Sequence, residues 1–372
     1  MSDRPSFRRV EAFLGEVVAA GIASSVVGLI ATAGEIVWEG AAGEARAGAP
    51  TEITTRFDYA SVTKPFMATL ALTLDAGGVL PLATRIGDLW PQAHRALARR
   101  PLSDLLRHRS GLVGWTPLYH RCRRCRSVDE AVELIVRGGE GGDLVGARTG
   151  TYSDLGYILW GRTAEVSTGT PLAALLRRRV LEPLGLATVD RTEPTDPSAR
   201  SDLAESFMGT GQEVKLAAKQ GFVIPDLGPP PLGIPQDGNG RFLLGLGAGG
   251  GVCGHAGLFG GARDLWRLGV EWLAPGRLLK AEGVAAALAG GGPFALGWWR
   301  RSLRNSAGRA LPPTAFGHTG FAGNSFWIDP EERRVLVMLA SRRDPSIDVN
   351  RWRRRFHTLA TAGGRQSADG RP

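Results

Sequence analysis

A serine and a lysine stand three residues apart in the segment DYASVTKPF, where an apolar helix is predicted to begin. Ser61 and Lys64 occupy positions i and i+3, so a helix places both side chains on nearly one face. A serine hydroxyl becomes a strong nucleophile when a neighbouring base removes its proton. Lysine serves as that base when its surroundings lower its pKa, whereas arginine stays protonated in proteins. The pair therefore indicates nucleophilic catalysis through Ser61.

Lysine is rare in this chain, which has 45 lysine and arginine residues. Only four of them are lysines: Lys64, Lys215, Lys219 and Lys280. A lysine at position 64 therefore fits a requirement for an amine that can lose its proton. The alternative is a helix start that Ser61 or Thr63 caps, with a solvated lysine beside it. The motif alone leaves both interpretations open.

Two further motifs follow along the chain. Tyr152, Ser153 and Asp154 open a second predicted helix, and His318-Thr319-Gly320 enters a predicted strand. Taken alone, Ser153 or Asp154 is a good helix cap, and a single His-Thr-Gly carries little information. The informative feature is the set of three motifs, in this order and on these elements.

With these motifs the sequence resembles the serine β-lactamase and penicillin-binding-protein superfamily, in its branch of class C β-lactamases, D-alanyl-D-alanine carboxypeptidases and esterases. Two other stretches extend the resemblance, LSDLLRHRSGL at 102–112 and GHAGLFGGARDLWRL at 254–268. The second is similar to penicillin-binding protein 4B-like serine hydrolases. The likeness runs from about Gly28 to Ala362 and implies a serine hydrolase with a β-lactamase/transpeptidase-like fold.

The resemblance implies a role for each motif residue. Ser61 would be the acylated nucleophile, Lys64 its general base and Tyr152 a partner in proton transfer. The backbone N–H groups of Ser61 and Phe321 would form the oxyanion hole. Asp154 would hold Lys64 or bind substrate, and three further residues would bind substrate: His318, Thr319 and Gly320.

Two of these residues depart from the family pattern. Asp154 stands where asparagine is usual, and a carboxylate beside Lys64 would raise the lysine pKa and oppose its role as a base. Either Tyr152 then carries more of the proton transfer, or Asp154 is rotated away. His318 replaces the common lysine, and a neutral imidazole attracts a substrate carboxylate less than an ammonium does. We therefore expect weak activity on β-lactams and better activity on esters or amides.

The expected function is hydrolysis of an ester, amide or D-amino-acid peptide through a covalent acyl-enzyme. The alternative is a catalytically silent binding or regulatory protein on the same scaffold, and Asp154 keeps this alternative open.

No metal or other cofactor is expected. The CxxC of Cys122 and Cys125 has only His120 nearby as a third ligand, whereas a zinc site needs a second pair of ligands. The net charge is +9, but the arginines are scattered, so a small-molecule substrate is expected and nucleic acid is not.

The stretch 192–251 is rich in glycine and proline and is predicted as a long loop. Asp237 and Asn239 within it resemble a D-x-N stretch of related proteins. Just beyond it, His255 in CGHAGLF either orders a loop near the site or takes part in catalysis.

The predicted fold class is α/β, in the α+β sense, with an antiparallel sheet built from both chain ends. The runs 24–43 and 324–341 each read as a β-hairpin. Helices are predicted at 62–76, 102–107, 128–136, 154–165, 171–181 and 349–362. The expected domains are a sheet domain of residues 1–56 and 292–372 and a mainly helical region of residues 57–291, with the active site between them.

The amino-terminal segment is predicted to be an amphipathic helix followed by a strand. Glu11 and Glu16 interrupt its apolar character, which is unlike a signal peptide. No apolar run reaches the length of a bilayer span. These features favour a cytoplasmic protein, while the oligomeric state cannot be predicted.

Overall fold

A computed structural model describes residues 7–191 and 201–365. Ten strands form two sheets: β1 (Ala23–Thr32), β2 (Ile36–Arg46), β3 (Ala49–Pro50), β4 (Phe57–Asp58), β5 (Asp190–Arg191), β6 (Leu258–Gly260), β7 (Trp299–Arg300), β8 (Phe316–Thr319), β9 (Ser325–Asp329) and β10 (Arg334–Arg342). The larger sheet has seven strands in the order β3-β2-β1-β10-β9-β8-β7, all paired antiparallel. Strands from both chain ends therefore meet at the β1–β10 pair, as predicted. The smaller sheet has the order β4-β6-β5.

Fifteen α-helices lie within the described ranges. They are α1 (Arg8–Ala19), α2 (Thr63–Ala76), α3 (Ile86–Leu89), α4 (Arg95–Ala98), α5 (Leu102–Leu106), α6 (Leu118–Arg121), α7 (Val128–Val136), α8 (Asp154–Thr168), α9 (Leu172–Leu176), α10 (Glu182–Leu184), α11 (Gly211–Ala218), α12 (Gly238–Gly245), α13 (Ala262–Leu273), α14 (Ala281–Leu288) and α15 (Val349–Arg365). The predicted helices are present with small shifts at their ends. The segment predicted at 171–181 is divided, because α9 runs into a π-helical turn at Arg177–Leu181.

The central strands of the large sheet are buried on both faces, and their alternate residues pack into two different cores. Val27 of β1 lies opposite Leu339 of β10, and both belong to the core shared with the helical region. The next pair, Val26 and Ala340, belongs to the core beneath α1 and α15. This two-residue alternation is the pleat of a β-strand. The terminal helices thus cover one face, and α13 packs on the other.

Both predicted hairpins are present, and side-chain oxygens close their turns. Thr32 Oγ1 accepts hydrogen bonds from the N–H groups of Gly34 and Glu35, each at 3.2 Å. Asp329 Oδ1 accepts the N–H groups of Glu331 and Glu332, each at 3.1 Å. Short polar side chains that bind nearby backbone are the usual residues for such turns.

The stretch predicted as a loop is more ordered than its composition suggests. Residues 192–200 lie outside the described residues, but the remainder contains α11, α12 and a 3₁₀ turn at Ala248–Gly250. Asp237 begins α12 by accepting the Gly240 N–H at 2.6 Å, a normal helix cap. The many glycines hide the helical periodicity in the sequence, so the prediction of one long loop was wrong. The predicted domain boundaries remain a prediction.

Along residues 7–191 and 201–365, no helix is both long and apolar enough to cross a membrane. The same residues contain no group of three or more histidine, cysteine, aspartate or glutamate side chains placed to hold a metal ion. Cys122 and Cys125 are free thiols, the first buried and the second partly exposed. The cytoplasmic location stays a prediction.

The packing of α15 on the sheet gives a stability prediction. Phe356 is fully buried in the core beneath α1 and α15. Phe356→Ala should lower the free energy of unfolding by about 3–5 kcal/mol, because it removes apolar contacts and leaves a cavity. Urea denaturation measures the change, with Arg351→Ala on the exposed side of the same helix as the control. A loss below about 1 kcal/mol, typical of surface positions, would contradict this packing.

Candidate active site

Ser61 lies in a one-turn 3₁₀ helix, Ala60–Val62, between β4 and α2. The buried carboxylate of Asp58 accepts the N–H of Ala60 at 2.8 Å and the N–H of Gln236 at 2.9 Å. Burial raises the pKa of Asp58 to about 6. Ala60 has φ +47°, in the left-handed region that residues other than glycine rarely adopt. The Asp58 contacts hold this unfavourable turn, which presents Ser61 to a cavity.

Lys64 is one helical turn further on and is fully buried. Its Nζ donates to Ser61 Oγ at 2.9 Å and to the backbone oxygen of His255 at 3.2 Å. It also lies 2.7 Å from Asp154 Oδ1. Asp154 begins α8 directly after Tyr152 and Ser153, and the Ser153 hydroxyl caps that helix. The starts of α2 and α8 therefore meet at one ammonium group, and Asp154 points toward the lysine.

The electrostatics of this cluster favour a charged lysine. Burial acts to lower the pKa of Lys64, but the negative charge of Asp154, the neighbouring Tyr152 and their hydrogen bonds raise it, and the net pKa lies above that of an ordinary lysine. Burial raises the pKa of Tyr152, so its hydroxyl is protonated at neutral pH. Lys64 Nζ also lies 5.0 Å from the centre of the Tyr152 ring. The resting site thus holds an ammonium, a carboxylate and a neutral phenol beside Ser61.

Aromatic side chains fix the Tyr152 ring. Trp299 on β7 stacks on it with ring centres 5.5 Å apart and planes 18° apart. His108 lies 4.5 Å away, and Phe294 packs against both His108 and Trp299. His108 Nδ1 accepts the N–H of Ser153 at 2.9 Å, so this histidine also positions the YSD segment. Sequence reasoning missed these three residues, because only long-range packing brings them to Tyr152.

The third motif lies at the end of β8, close to Tyr152, with the ring centres of His318 and Tyr152 6.1 Å apart. His318, Thr319 and Gly320 are not among the residues that line the cavity in front of Ser61, so their contact with substrate stays a prediction. His318 is buried, and burial together with the charge of Lys64 lowers its pKa to about 3, so the imidazole is neutral at pH 7. Its Nδ1 bonds the Thr319 carbonyl oxygen at 2.9 Å. At Gly320 a β-carbon would come within 2.6 Å of the Tyr59 carbonyl oxygen. Only glycine permits this approach, which brings the end of β8 against the turn that carries Ser61.

The two predicted oxyanion donors face the same cavity. Ser61 and Phe321 both line it, and the N–H of Phe321 donates no hydrogen bond to another residue of the described ranges. Free backbone donors beside a nucleophile are the arrangement that stabilises a tetrahedral oxyanion.

The structure also resolves the D-x-N stretch and His255. Asp237 Oδ1 lies 2.8 Å from Nε2 of His255, which is buried. Burial acts to lower the pKa of His255, but Cys253 and Asp237 raise it well above its usual value, so this is a second buried ion pair. Asn239 instead bonds the backbone of Thr116 and Leu118. Only the first residue of the D-x-N therefore reaches the site.

A cavity of about 490 Å³ opens in front of Ser61. Its floor carries Ser61, Tyr152 and Asp154, and its far wall is formed by Val113, Trp115, Gln212, Glu213, Leu216 and Gln220. Burial and the charge of Asp237 raise the pKa of Glu213 to about 8. Half of these far-wall residues lie on α11 in the glycine-rich stretch, which the sequence did not connect to the site. A larger cavity of about 670 Å³, bordered by Leu176, Arg177 and Leu186, contains none of these groups.

Comparisons with known proteins show the family and the fold of the chain. A family model described as beta-lactamase matches residues 10–360. An N-acetylmuramyl-L-alanine amidase of Bacillus subtilis is 26% identical over 92% of this chain and 82% of its own length. Esterase EstB of Burkholderia gladioli is 32% identical, but the match spans only 43% of this chain and 45% of that esterase.

Among solved structures, a penicillin-binding protein homologue from Caulobacter crescentus superimposes with a TM-score of 0.75. The superposition covers 97% of this chain and 98% of that chain, at 21% sequence identity. At this identity the likeness concerns the fold.

The Lys64–Asp154 pair gives a kinetic prediction. Lys64 accepts the Ser61 proton only as a neutral amine, so the rate of acyl transfer should rise with pH. Asp154→Asn removes a charge that raises the lysine pKa and should move this rise about 1–3 pH units lower. Activity at pH 7 is then kept or increased. The pH profile of kcat/KM for a p-nitrophenyl ester measures the shift, with exposed Asp88→Asn on α3 as the control. A collapse of the rate without a shift would make the carboxylate essential.

A second prediction concerns the lysine itself. Lys64→Arg keeps the positive charge but removes the titratable amine, so kcat/KM should fall about 10²–10⁴-fold, the usual contribution of a general base. Circular dichroism checks folding, and the same substitution at exposed Lys280 is the control. Turnover close to wild type would refute the role of Lys64 as a base.

Proposed function

The chain belongs to the beta-lactamase family, and we propose that it hydrolyses small, uncharged esters or amides through an acyl-enzyme on Ser61. The predicted β-lactamase-related serine hydrolase is confirmed at the level of the family by the family match and by the hydrolases among its relatives. The predicted β-lactamase/transpeptidase-like fold is confirmed by the likeness to the penicillin-binding protein homologue.

The contact between the buried Lys64 Nζ and the partly buried Ser61 Oγ, at 2.9 Å, supports the acyl-enzyme most directly. Once neutral, Lys64 takes the hydroxyl proton while Ser61 Oγ bonds to the substrate carbonyl carbon. The N–H groups of Ser61 and Phe321 stabilise the resulting oxyanion. The leaving alcohol or amine receives the proton through Lys64 and Tyr152. Water then releases the acid and restores Ser61 in a second step of the same kind.

The charges around the cavity favour an uncharged substrate. Lys64 is paired with Asp154, and His255 is paired with Asp237. His318, where the family commonly has a lysine, is neutral. Of the described residues that line the cavity, none is a lysine or arginine. A substrate carboxylate would therefore lose its hydration without gaining a cationic partner, which is costly.

The far wall favours an apolar group on the substrate. Trp115, Leu216 and Val113 line it. Binding an apolar group against these side chains removes apolar surface from water, which is favourable. The amidase and the esterase among the relatives fit both substrate classes by name. The alternative of a catalytically silent scaffold is disfavoured, because Ser61, Lys64, Tyr152 and Asp154 all retain mutual contacts.

Intact-mass spectrometry tests the nucleophile. Incubation with a fluorophosphonate should add one label per chain, located on Ser61 by peptide mapping. The Ser61→Ala variant should take up no label and should not turn over p-nitrophenyl butyrate. The absence of both label and turnover in the wild type, with esters and amides alike, would refute the hydrolase.

A matched pair of esters tests the substrate class. The p-nitrophenyl ester of monomethyl adipate and that of free adipate differ only in the distal carboxylate. The uncharged ester should have a kcat/KM at least about tenfold higher, a difference of about 1.4 kcal/mol. Equal rates, or a preference for the free carboxylate, would contradict an uncharged substrate.

A further inference from the structure

We propose that Arg353 on α15 is a positioning residue for the oxyanion hole. The inference rests on the proposed function and concerns the loop of residues 320–323, which carries Phe321. Arg353 belongs to α15, in the arginine-rich run RWRRRFH at 351–357. Its side chain lies in the interior, with 5% of its surface exposed.

The guanidinium of Arg353 binds carbonyl oxygens. Nη2 donates to the Gly320 oxygen at 2.6 Å, and Nε donates to the Gly323 oxygen at 3.2 Å. Nη1 donates to Asn350 Oδ1 at 2.9 Å, within the same helix. Burial lowers the pKa of the guanidinium to about 9, which still leaves it charged at neutral pH. Hydrogen bonds from a charged donor are shorter and stronger than neutral ones.

The bond to Gly320 acts on the peptide group that supplies the second oxyanion donor. The carbonyl of Gly320 and the N–H of Phe321 belong to one planar peptide unit, which is trans here. In a trans peptide the C=O and the N–H point in opposite directions. Arg353 binds the Gly320 oxygen on the side away from the cavity, and this orients the Phe321 N–H toward the cavity. The positive charge also polarises the peptide and makes its N–H a stronger donor.

The other contacts of the loop are consistent with this role. The Ala322 oxygen accepts the N–H of Arg342 at 2.8 Å, and the Gly323 N–H bonds the Gly320 oxygen at 3.1 Å. The Phe321 ring is 41% exposed, so burial of that side chain does not fix the peptide. The loop is held through hydrogen bonds to its backbone oxygens, and the Arg353 side chain donates two of these bonds.

A second residue links this loop to the nucleophile. Asn324 Nδ2 donates to the backbone carbonyl oxygen of Asp58 at 2.7 Å, while Asn324 Oδ1 accepts the N–H of Ala340 at 3.1 Å. Asp58 in turn holds the Ala60 N–H beside Ser61. The two oxyanion donors are therefore joined through Asn324 on one side and held by Arg353 on the other.

Paired ester and thionoester substrates test this role. Sulfur replaces the carbonyl oxygen in a thionoester and fits the oxyanion hole poorly, so the ester/thionoester ratio of kcat/KM reports the quality of the hole. Arg353→Met should lower kcat for the ester about 10–100-fold, less than the full loss of an oxyanion donor, with little change in KM. The ester/thionoester ratio should fall together with kcat for the ester. Arg353→Lys, which keeps a charged donor, should lower the ratio less than Arg353→Met does. Arg355→Met, on the exposed part of the same helix, should leave the ratio unchanged.

A lower amount of folded protein reduces both rates equally and leaves the ratio unchanged. An unchanged ratio in a folded Arg353→Met variant would therefore overturn the role of Arg353. If that variant does not fold, Asn350→Ala, which removes only the side-chain acceptor of Arg353, should give a smaller fall in the same ratio, and no fall would overturn the role. If the wild type turned over neither substrate, the proposed function would be refuted, and this inference with it.

Discussion

The buried ion pair between Lys64 and Asp154 is the constraint on which the site depends. A lysine without solvent contact stays charged only with a partner, and removal of one partner leaves an uncompensated buried charge. The pair accounts for the raised pKa of Lys64 and contributes to the lowered pKa of His318. It also means that Lys64 must first lose its proton before it can act as a base. A second pair, His255 and Asp237, keeps the remaining charge near the cavity compensated.

The fold brings this pair together with the oxyanion donors from distant parts of the chain. The starts of α2 and α8 supply the nucleophile, the lysine, the phenol and the carboxylate. The loop after β8 supplies Phe321. Asn324 joins this loop to the Ser61 turn, and Arg353 joins it to α15. The sheet built from both chain ends therefore positions the site, because it places the His-Thr-Gly segment in contact with the turn that carries Ser61. Gly320 permits that contact because it has no side chain.

The sequence predicted those features that local patterns encode. Hairpin turns and amphipathic helices follow from residue type and spacing. The three motifs predicted Ser61, Lys64 and Tyr152, which the structure brings together, and His318, whose contact with substrate stays a prediction. The helices inside the glycine-rich stretch were missed, because glycine carries no periodic signal. Glu213, Trp299 and Arg353 were missed for another reason, since their contacts join residues far apart in the chain. The orientation of Asp154 was left open between two arrangements, and the structure shows the paired one.

Measuring the charge state of Lys64 tests the role of the Lys64–Asp154 ion pair most directly. With four lysines in the chain, ¹³C labelling of lysine Cε gives a simple NMR spectrum, in which the Lys64→Arg variant identifies the Lys64 signal. We expect the Lys64 signal of the wild type to show an ammonium throughout the neutral range and to titrate above the usual pKa of lysine. A neutral amine at pH 7 would contradict the dominance of Asp154 in this site.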